Sequence, residues 1–144
     1  YTTLHDMVQI GVGVSAISDF GNSYFQNQKN IDNYIKETTK NKLLPRRGIH
    51  LDKEDILRRK VIETIMCHGE ISTNDIEKVF EIDFRKHFSH AWEKLKIFEE
   101  EGLVKLSPGN VKLTDLGRLF MRNVVMPFDR YLKDIGSSKF SNTV

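Results

Sequence analysis

Phe84-Arg-Lys-His-Phe88-Ser-His-Ala91-Trp92-Glu-Lys-Leu95-Lys-Ile-Phe98 is the stretch whose reading decides the fold. Phe84, Phe88, Ala91, Trp92, Leu95 and Phe98 recur at steps of four, three, one, three and three. That spacing predicts one helix with a broad apolar stripe. Asp83 is placed to cap its start, and Gly102 follows the Glu99-Glu-Glu101 run as a C-terminal stop. Leu103-Val-Lys-Leu106 and Val111-Lys-Leu113 read as strands flanking Ser107-Pro-Gly-Asn110, a turn by its chemistry. With a further helix opening at Thr114, the stretch reads as a winged-helix-like unit, which names a fold and no function.

Working outward, Asp52 and Asp55 form an N-terminal cap for a helix whose Leu57, Val61 and Ile65 step by four, widened by Ile62 and Met66. Arg58 and Arg59 are neighbours and cannot both face that core; Asp55 and Arg59, four apart, suggest a surface ion pair. Ser72 with Asp75 caps a short second helix carrying Ile76, Val79 and Phe80. The last helix, from about Asp115, holds Leu116, Leu119, Phe120, Val124 and Phe128 on one side, and Pro127 should interrupt it. The fold class is therefore mainly α, with a small hairpin.

The chain has 144 residues, 39% hydrophobic and 29% charged, enough for an ordinary core. Twenty-two basic against 20 acidic residues leave a net charge of +2, so no global field favours nucleic acid. Arg85, Lys86, Lys94 and Lys96 lie along the third helix, but Glu93 and Glu99 to Glu101 oppose them, and the hairpin tip carries no cation. A DNA-reading winged helix would place basic and amide groups there. The charge pattern argues against that class, which is otherwise the main alternative. No apolar run approaches the ~18 residues of a membrane span. Cys67, the single cysteine, allows no internal disulfide and suits a reducing cytoplasm. Cys67-His68 and the His87/His90 pair lack further ligands at metal-binding spacing. The chain begins at Tyr1 without an initiator methionine and reads as a fragment.

Met7 to Ile17, Met-Val-Gln-Ile-Gly-Val-Gly-Val-Ser-Ala-Ile, reads as a short buried strand running into a glycine-rich turn. Gly11, Gly13 and Ala16 fit a G-x-G-x-x-A phosphate fingerprint, with Asp32 roughly where a ribose ligand belongs. Asp32 sits in a polar, helix-like run instead of at the end of a second buried strand, and glycines also serve simply to let two backbones approach. Residues 29 to 42 are strongly polar; Leu43-Leu44-Pro45 turns apolar, with Pro45 enforcing extended backbone before Arg46-Arg47-Gly48.

Several of these stretches, taken in order, carry a resemblance. Ile10-Gly-Val-Gly-Val-Ser-Ala-Ile-Ser18, Tyr24-Phe-Gln-Asn27 and Tyr34 are followed by Arg47-Gly48, Asp55-x-x-Arg58-Arg59, Met66-Cys67 and Gly117-Arg118-Leu119. Arg122-Asn123, Phe128-Asp129-x-Tyr131-Leu132 and Phe140-Ser141 complete the series, and Tyr1-Thr-Thr3 precedes it. The chain is similar throughout to the oxygen-independent coproporphyrinogen III oxidases, radical S-adenosylmethionine enzymes of haem synthesis. The haem chaperones of the same superfamily come second, because they typically carry an arginine motif where Tyr24-Phe-Gln-Asn27 stands.

The resemblance implies a partial TIM-like barrel whose last strand and following helix are residues 1–28. It then implies a linker at 29–48 and a helical, winged-helix-like lid domain at 49–144. It implies a cytoplasmic, monomeric parent that uses a [4Fe–4S] cluster, S-adenosylmethionine and an electron donor. The parent converts two propionates of coproporphyrinogen III to vinyls with loss of carbon dioxide, giving protoporphyrinogen IX, without nucleic acid or membrane as partner. The C-x-x-x-C-x-x-C motif that would hold the cluster is missing from these residues, so this chain alone is expected to be inactive and to need the N-terminal barrel. Ile17 matches the isoleucine that in the family contacts a second S-adenosylmethionine, and Gly11, Gly13 and Ser15 would share its wall. Arg47 is a candidate for binding a propionate, because its guanidinium can fork onto a carboxylate; the plainer reading is a solvated linker charge.

Overall fold

A computed structural model describes residues 7–40 and 45–132, which form two compact units. The described residues up to Ile56 make one unit and those from Leu57 the other. Tyr1-Thr-Thr3, Leu43-Leu44 and Phe140-Ser141 lie outside the described residues.

The first unit is a three-stranded antiparallel sheet, β1 (Ile17–Asp19), β2 (Ser23–Asn27) and β3 (Pro45–His50), in that order, with helix α1 (Ile31–Thr38) between β2 and β3. The expected buried strand over Met7–Ile17 is not formed. Met7, Val8, Ile10 and Val12 are exposed, and only an isolated bridge pairs Gln9 with Asp19. Apolar content suggested the strand, but Gly13 at φ +108° and Ser15 at φ +59° turn the chain before a ladder can extend. Behind this turn comes a hairpin, where the expectation for residues 1–28 was a strand followed by a helix. The polar stretch read as a linker also contributes structure: Asn30 caps α1 by accepting from Asn33 N–H at 2.9 Å, and Pro45 opens β3.

The second unit contains most of helix α2 (Lys53–His68), then β4 (Glu70–Ser72), α3 (Thr73–Phe80), α4 (Phe84–His87) and α5 (Ser89–Glu100). These are followed by β5 (Val104–Ser107), β6 (Asn110–Leu113), α6 (Asp115–Leu119), α7 (Met121–Val125) and a 3-10 turn, Met126–Phe128. The start of α2, in the first unit, carries a reciprocal capping box. Asp52 Oδ1 accepts from Asp55 N–H at 2.8 Å while Asp55 Oδ2 accepts from Asp52 N–H at 3.1 Å. Ser72 accepts from Asp75 N–H, and Asp83 from Lys86 N–H at 2.9 Å, as their positions predict.

The single long helix expected over Phe84–Phe98 is two helices. Phe88 leaves the helical region at φ −101°, ψ 34°, so the chain bends there while both halves keep their apolar faces inward. Its C-terminus has the hydrogen bonds of a Schellman stop: Leu103 N–H donates to Phe98 O at 2.8 Å and Gly102 N–H to Glu99 O at 3.0 Å, with Gly102 at φ +74°. The last helix is likewise divided, by Phe120 as well as ahead of Pro127, and Leu116, Leu119 and Phe120 stay exposed.

A strand not anticipated from sequence, β4, pairs with β6, giving a second antiparallel sheet in the order β4-β6-β5. Three residues are too few for an alternating pattern to show. Pro108-Gly109, with Gly109 at φ +74°, closes the β5–β6 hairpin as a type II turn would. One core gathers Leu57, Val61 and Ile65 of α2, Phe84, Phe88 and Leu95, Val104 and Val111 of the sheet, and Val124 and Phe128. The Phe84, Phe88 and Phe128 rings meet at centroid distances of 4.9 to 6.1 Å.

Candidate functional site

Two motifs read separately in the sequence lie side by side in the first sheet. Ile17 pairs with Gln26, and Gln26 with Arg47, so the three stand on one rung across all three strands. Directly opposed residues of an antiparallel ladder share a face. Ile17 and Arg47, proposed for different ligands and 30 positions apart, therefore flank the same glutamine. On the opposite face Phe25 pairs with Gly48, and a Cβ on Gly48 would come within 2.9 Å of the Phe25 ring. The glycine of Arg47-Gly48 is thus accounted for by packing.

The glycine-rich turn is knitted to β2 by side-chain amides. Asn27 Nδ2 donates to Gly11 O at 3.2 Å and to Gly13 O at 2.9 Å; Gln26 Nε2 donates to Ser15 O at 3.2 Å. Ser15 N–H donates to Gln28 O, and Ser18 Oγ accepts from Gly11 N–H at 3.0 Å. A Cβ on Gly11 would lie 2.5 Å from the Ile17 carbonyl oxygen, so that glycine answers to its own neighbour strand. Gly13 opens onto free space, and the Ile17 side chain is half exposed at 52%. An open, small-residue edge beside an available isoleucine is compatible with an apolar ligand wall. The dinucleotide-fingerprint reading of Gly11, Gly13 and Ala16 is not supported: the strands around it are antiparallel, and Asp32 sits in the first turn of α1.

Arg47 lines an open pocket of about 500 Å³ with Gln26, Asn27, Gln28, Lys29 and Asn30. Asn27 and Gln26 are held by the bonds just described, and Gln28 Oε1 accepts from Lys29 and Asn30 N–H. Lys29 was not singled out by sequence reading; it joins Arg47 only because β2 and β3 pair.

In the second unit Arg58 Nη1 donates to Phe128 O at 2.8 Å and its guanidinium lies 5.2 Å from the Phe88 ring centroid. Arg59 pairs with Glu63 at 2.9 Å. A Cβ on Gly117 would stand 1.8 Å from Leu103 O, and one on Gly69 2.6 Å from the Arg118 guanidinium. The Gly117-Arg118 motif therefore serves tight packing at both residues. Cys67 is half-buried at the end of α2, and His87 and His90 are exposed. Among the described residues no group of three or more histidines, cysteines and carboxylates is placed to hold a metal. An iron–sulfur cluster on three thiolates does not fit this chain's single cysteine. No helix among the described residues is long and apolar enough to cross a membrane.

Residues 51–120 match the family described as the HemN C-terminal domain. The chain is 40% identical over all its 144 residues to an oxygen-independent coproporphyrinogen III oxidase of Pseudomonas aeruginosa, covering 31% of that protein. It is 38% identical over its whole length to one from Helicobacter pylori, again covering 31%. It is also similar to the solved coproporphyrinogen III oxidase HemN of Escherichia coli, described as a radical SAM enzyme. That match has a TM-score of 0.83 at 35% identity and covers 91% of this chain and 30% of that one. The chain spans about a third of the length of these relatives. With agreement running over the whole chain, the protein is similar throughout to the oxygen-independent coproporphyrinogen III oxidases, and its residues 51–120 match the HemN C-terminal domain.

Proposed function

We propose that this chain is the C-terminal part of an enzyme that oxidatively decarboxylates two propionates of coproporphyrinogen III to vinyls, yielding protoporphyrinogen IX. The observation that carries this is the 40% identity over the full chain, with the motifs it spans assembled into one sheet and one helical core. Residues 1–28 are assigned to the end of the catalytic barrel, 29–48 to the connection and 49–144 to a lid over the substrate mouth. The lid's helix–strand–helix–helix–helix–hairpin order and its β4-β6-β5 sheet favour a winged-helix-like description.

S-adenosylmethionine, bound with a [4Fe–4S] cluster held elsewhere in the parent and fed by an electron donor, supplies the radical chemistry in this reading. The work of this chain's own residues is binding and exclusion. Ile17, with Gly11, Gly13 and Ser15, offers an apolar, low-profile wall to the cofactor side; Arg47 offers a forked donor to a substrate carboxylate; the lid keeps water from a reactive cavity.

The DNA-binding alternative is disfavoured by geometry as well as charge. Lys96 is taken by Glu93 at 2.8 Å, Glu99 accepts from Leu106 N–H at the hairpin, and the turn itself is Pro108-Gly109. The test is anaerobic turnover of coproporphyrinogen III by the full-length protein and by a form lacking residues 49–144. Loss of product with the deletion, while iron content is kept, is expected. Wild-type activity in the deletion would overturn the lid role, and no conversion by the intact, iron-loaded protein would overturn the function.

A further inference from the structure

The pocket at Arg47 has a composition that selects its ligand. Its lining is four amide side chains and two cations, with no carboxylate among them. All four amides are tied to backbone: Asn27 holds the glycine-rich turn, Gln26 holds Ser15, Gln28 accepts from Lys29 and Asn30 N–H, and Asn30 accepts from Asn33 N–H. They make a fixed polar wall, and the two cations stand at it without acidic partners among the described residues. Both cations line the same pocket, so a carboxylate entering it can meet the arginine fork and the lysine charge together. Asp32, in the first turn of α1, is the nearest acidic residue in sequence and does not line the pocket.

Resting on the proposed reaction, we infer that Arg47 and Lys29 anchor a propionate that the enzyme leaves intact. The argument is one of differential binding. A propionate lost as carbon dioxide gives up its negative charge, so a cation clamp on it would favour the starting carboxylate over the transition state and slow the step. A clamp on a propionate that survives stabilises substrate, transition state and product alike. It then sets which way the tetrapyrrole lies without opposing the chemistry. Arg47 and Lys29 are positioning residues in this role, and they determine which propionates reach the reacting position.

The experiment is anaerobic equilibrium dialysis of the full-length protein, without added S-adenosylmethionine, against three ligands. These are coproporphyrinogen III, its two-propionate divinyl product, and the tetramethyl ester of coproporphyrinogen III. Arg47→Gln should weaken binding of both free acids about tenfold, the loss of one charged hydrogen bond, and leave the ester within a factor of about two. Lys29→Gln should weaken both acids about threefold, and Arg47→Lys should fall between wild type and Arg47→Gln. Equal weakening of acids and ester would show a shape effect and overturn the inference. So would weakening of coproporphyrinogen alone, because the clamp would then hold a reacting carboxylate. Unchanged affinity for both acids, in a protein that still converts coproporphyrinogen III, would overturn this inference and leave the proposed function standing. A wild-type protein that neither binds nor converts it would overturn both.

Discussion

Arg58 reaches 70 residues along the chain to donate to the Phe128 carbonyl at 2.8 Å, and on the way lies over the Phe88 ring. A cation thereby closes the helical unit from its first long helix to its last turn. Replacing it with alanine removes a charged hydrogen bond and a cation–π contact and strands a carbonyl at the edge of the core. Urea unfolding of the Arg58→Ala protein should show a loss of about 2–3 kcal/mol. Arg58→Lys, which keeps charge but not the planar fork, should recover only part of it.

Glycine substitutions should separate close packing from backbone conformation. Gly117→Ala drives a methyl into the Leu103 carbonyl, so backbone must move, and the cost should reach at least about 1–3 kcal/mol. Gly102→Ala meets open space and pays only for a left-handed conformation, about 1–2 kcal/mol. Thermal melts of the two variants should rank in that order; the reverse ranking would contradict the Leu103 contact.

Thr114 sets one hydroxyl among three backbone groups. It accepts from Gly117 N–H at 3.0 Å as the cap of α6 and sits within hydrogen-bond reach of the Gly102 and Leu103 carbonyls, at 2.7 and 3.2 Å. Thr114→Val preserves shape and should cost about 1–2 kcal/mol, with Thr114→Ser close to wild type in denaturant titration.

Phe84 is fully buried against Phe88, Phe128 and Trp92. Phe84→Ala should destabilise by about 3–5 kcal/mol and broaden the unfolding transition of the helical unit. Phe84→Leu should retain more than half of that stability.

Caps, stripes and turns were legible in the sequence because each depends on neighbours a few residues away. Asp52 with Asp55, Ser72, Asp83, Gly102 and Pro108-Gly109 all act within one helical turn or one hairpin. What sequence left hidden depends on distant partners. The bend at Phe88 follows from packing three phenylalanine rings at once, which a periodic stripe does not encode. Strand β4 exists because β6 offers an edge. The apolar run at Met7–Val14 mimicked a strand, yet the dihedral angles at Gly13 and Ser15 prevail over its composition. Of the candidate site, Ile17 and Arg47 were named from sequence through family resemblance, but their common rung through Gln26, and the presence of Lys29 beside Arg47, emerge only from strand register.

The chain's one tryptophan gives the molecule an optical consequence. Trp92 stands edge-on to Phe84 at 6.4 Å between ring centroids and carries the Arg85 guanidinium 4.6 Å from its own ring. Because it belongs to the helical unit, its emission colour and intensity report the state of that unit and are silent about the three-stranded sheet. Excitation at the red edge of protein absorbance therefore follows the folding of the helical unit alone, whereas tyrosine emission mixes the two, with Tyr24 and Tyr34 in the sheet-bearing unit and Tyr131 in the helical one. The unfolding of the helical unit is thus readable by fluorescence without any label attached to the chain.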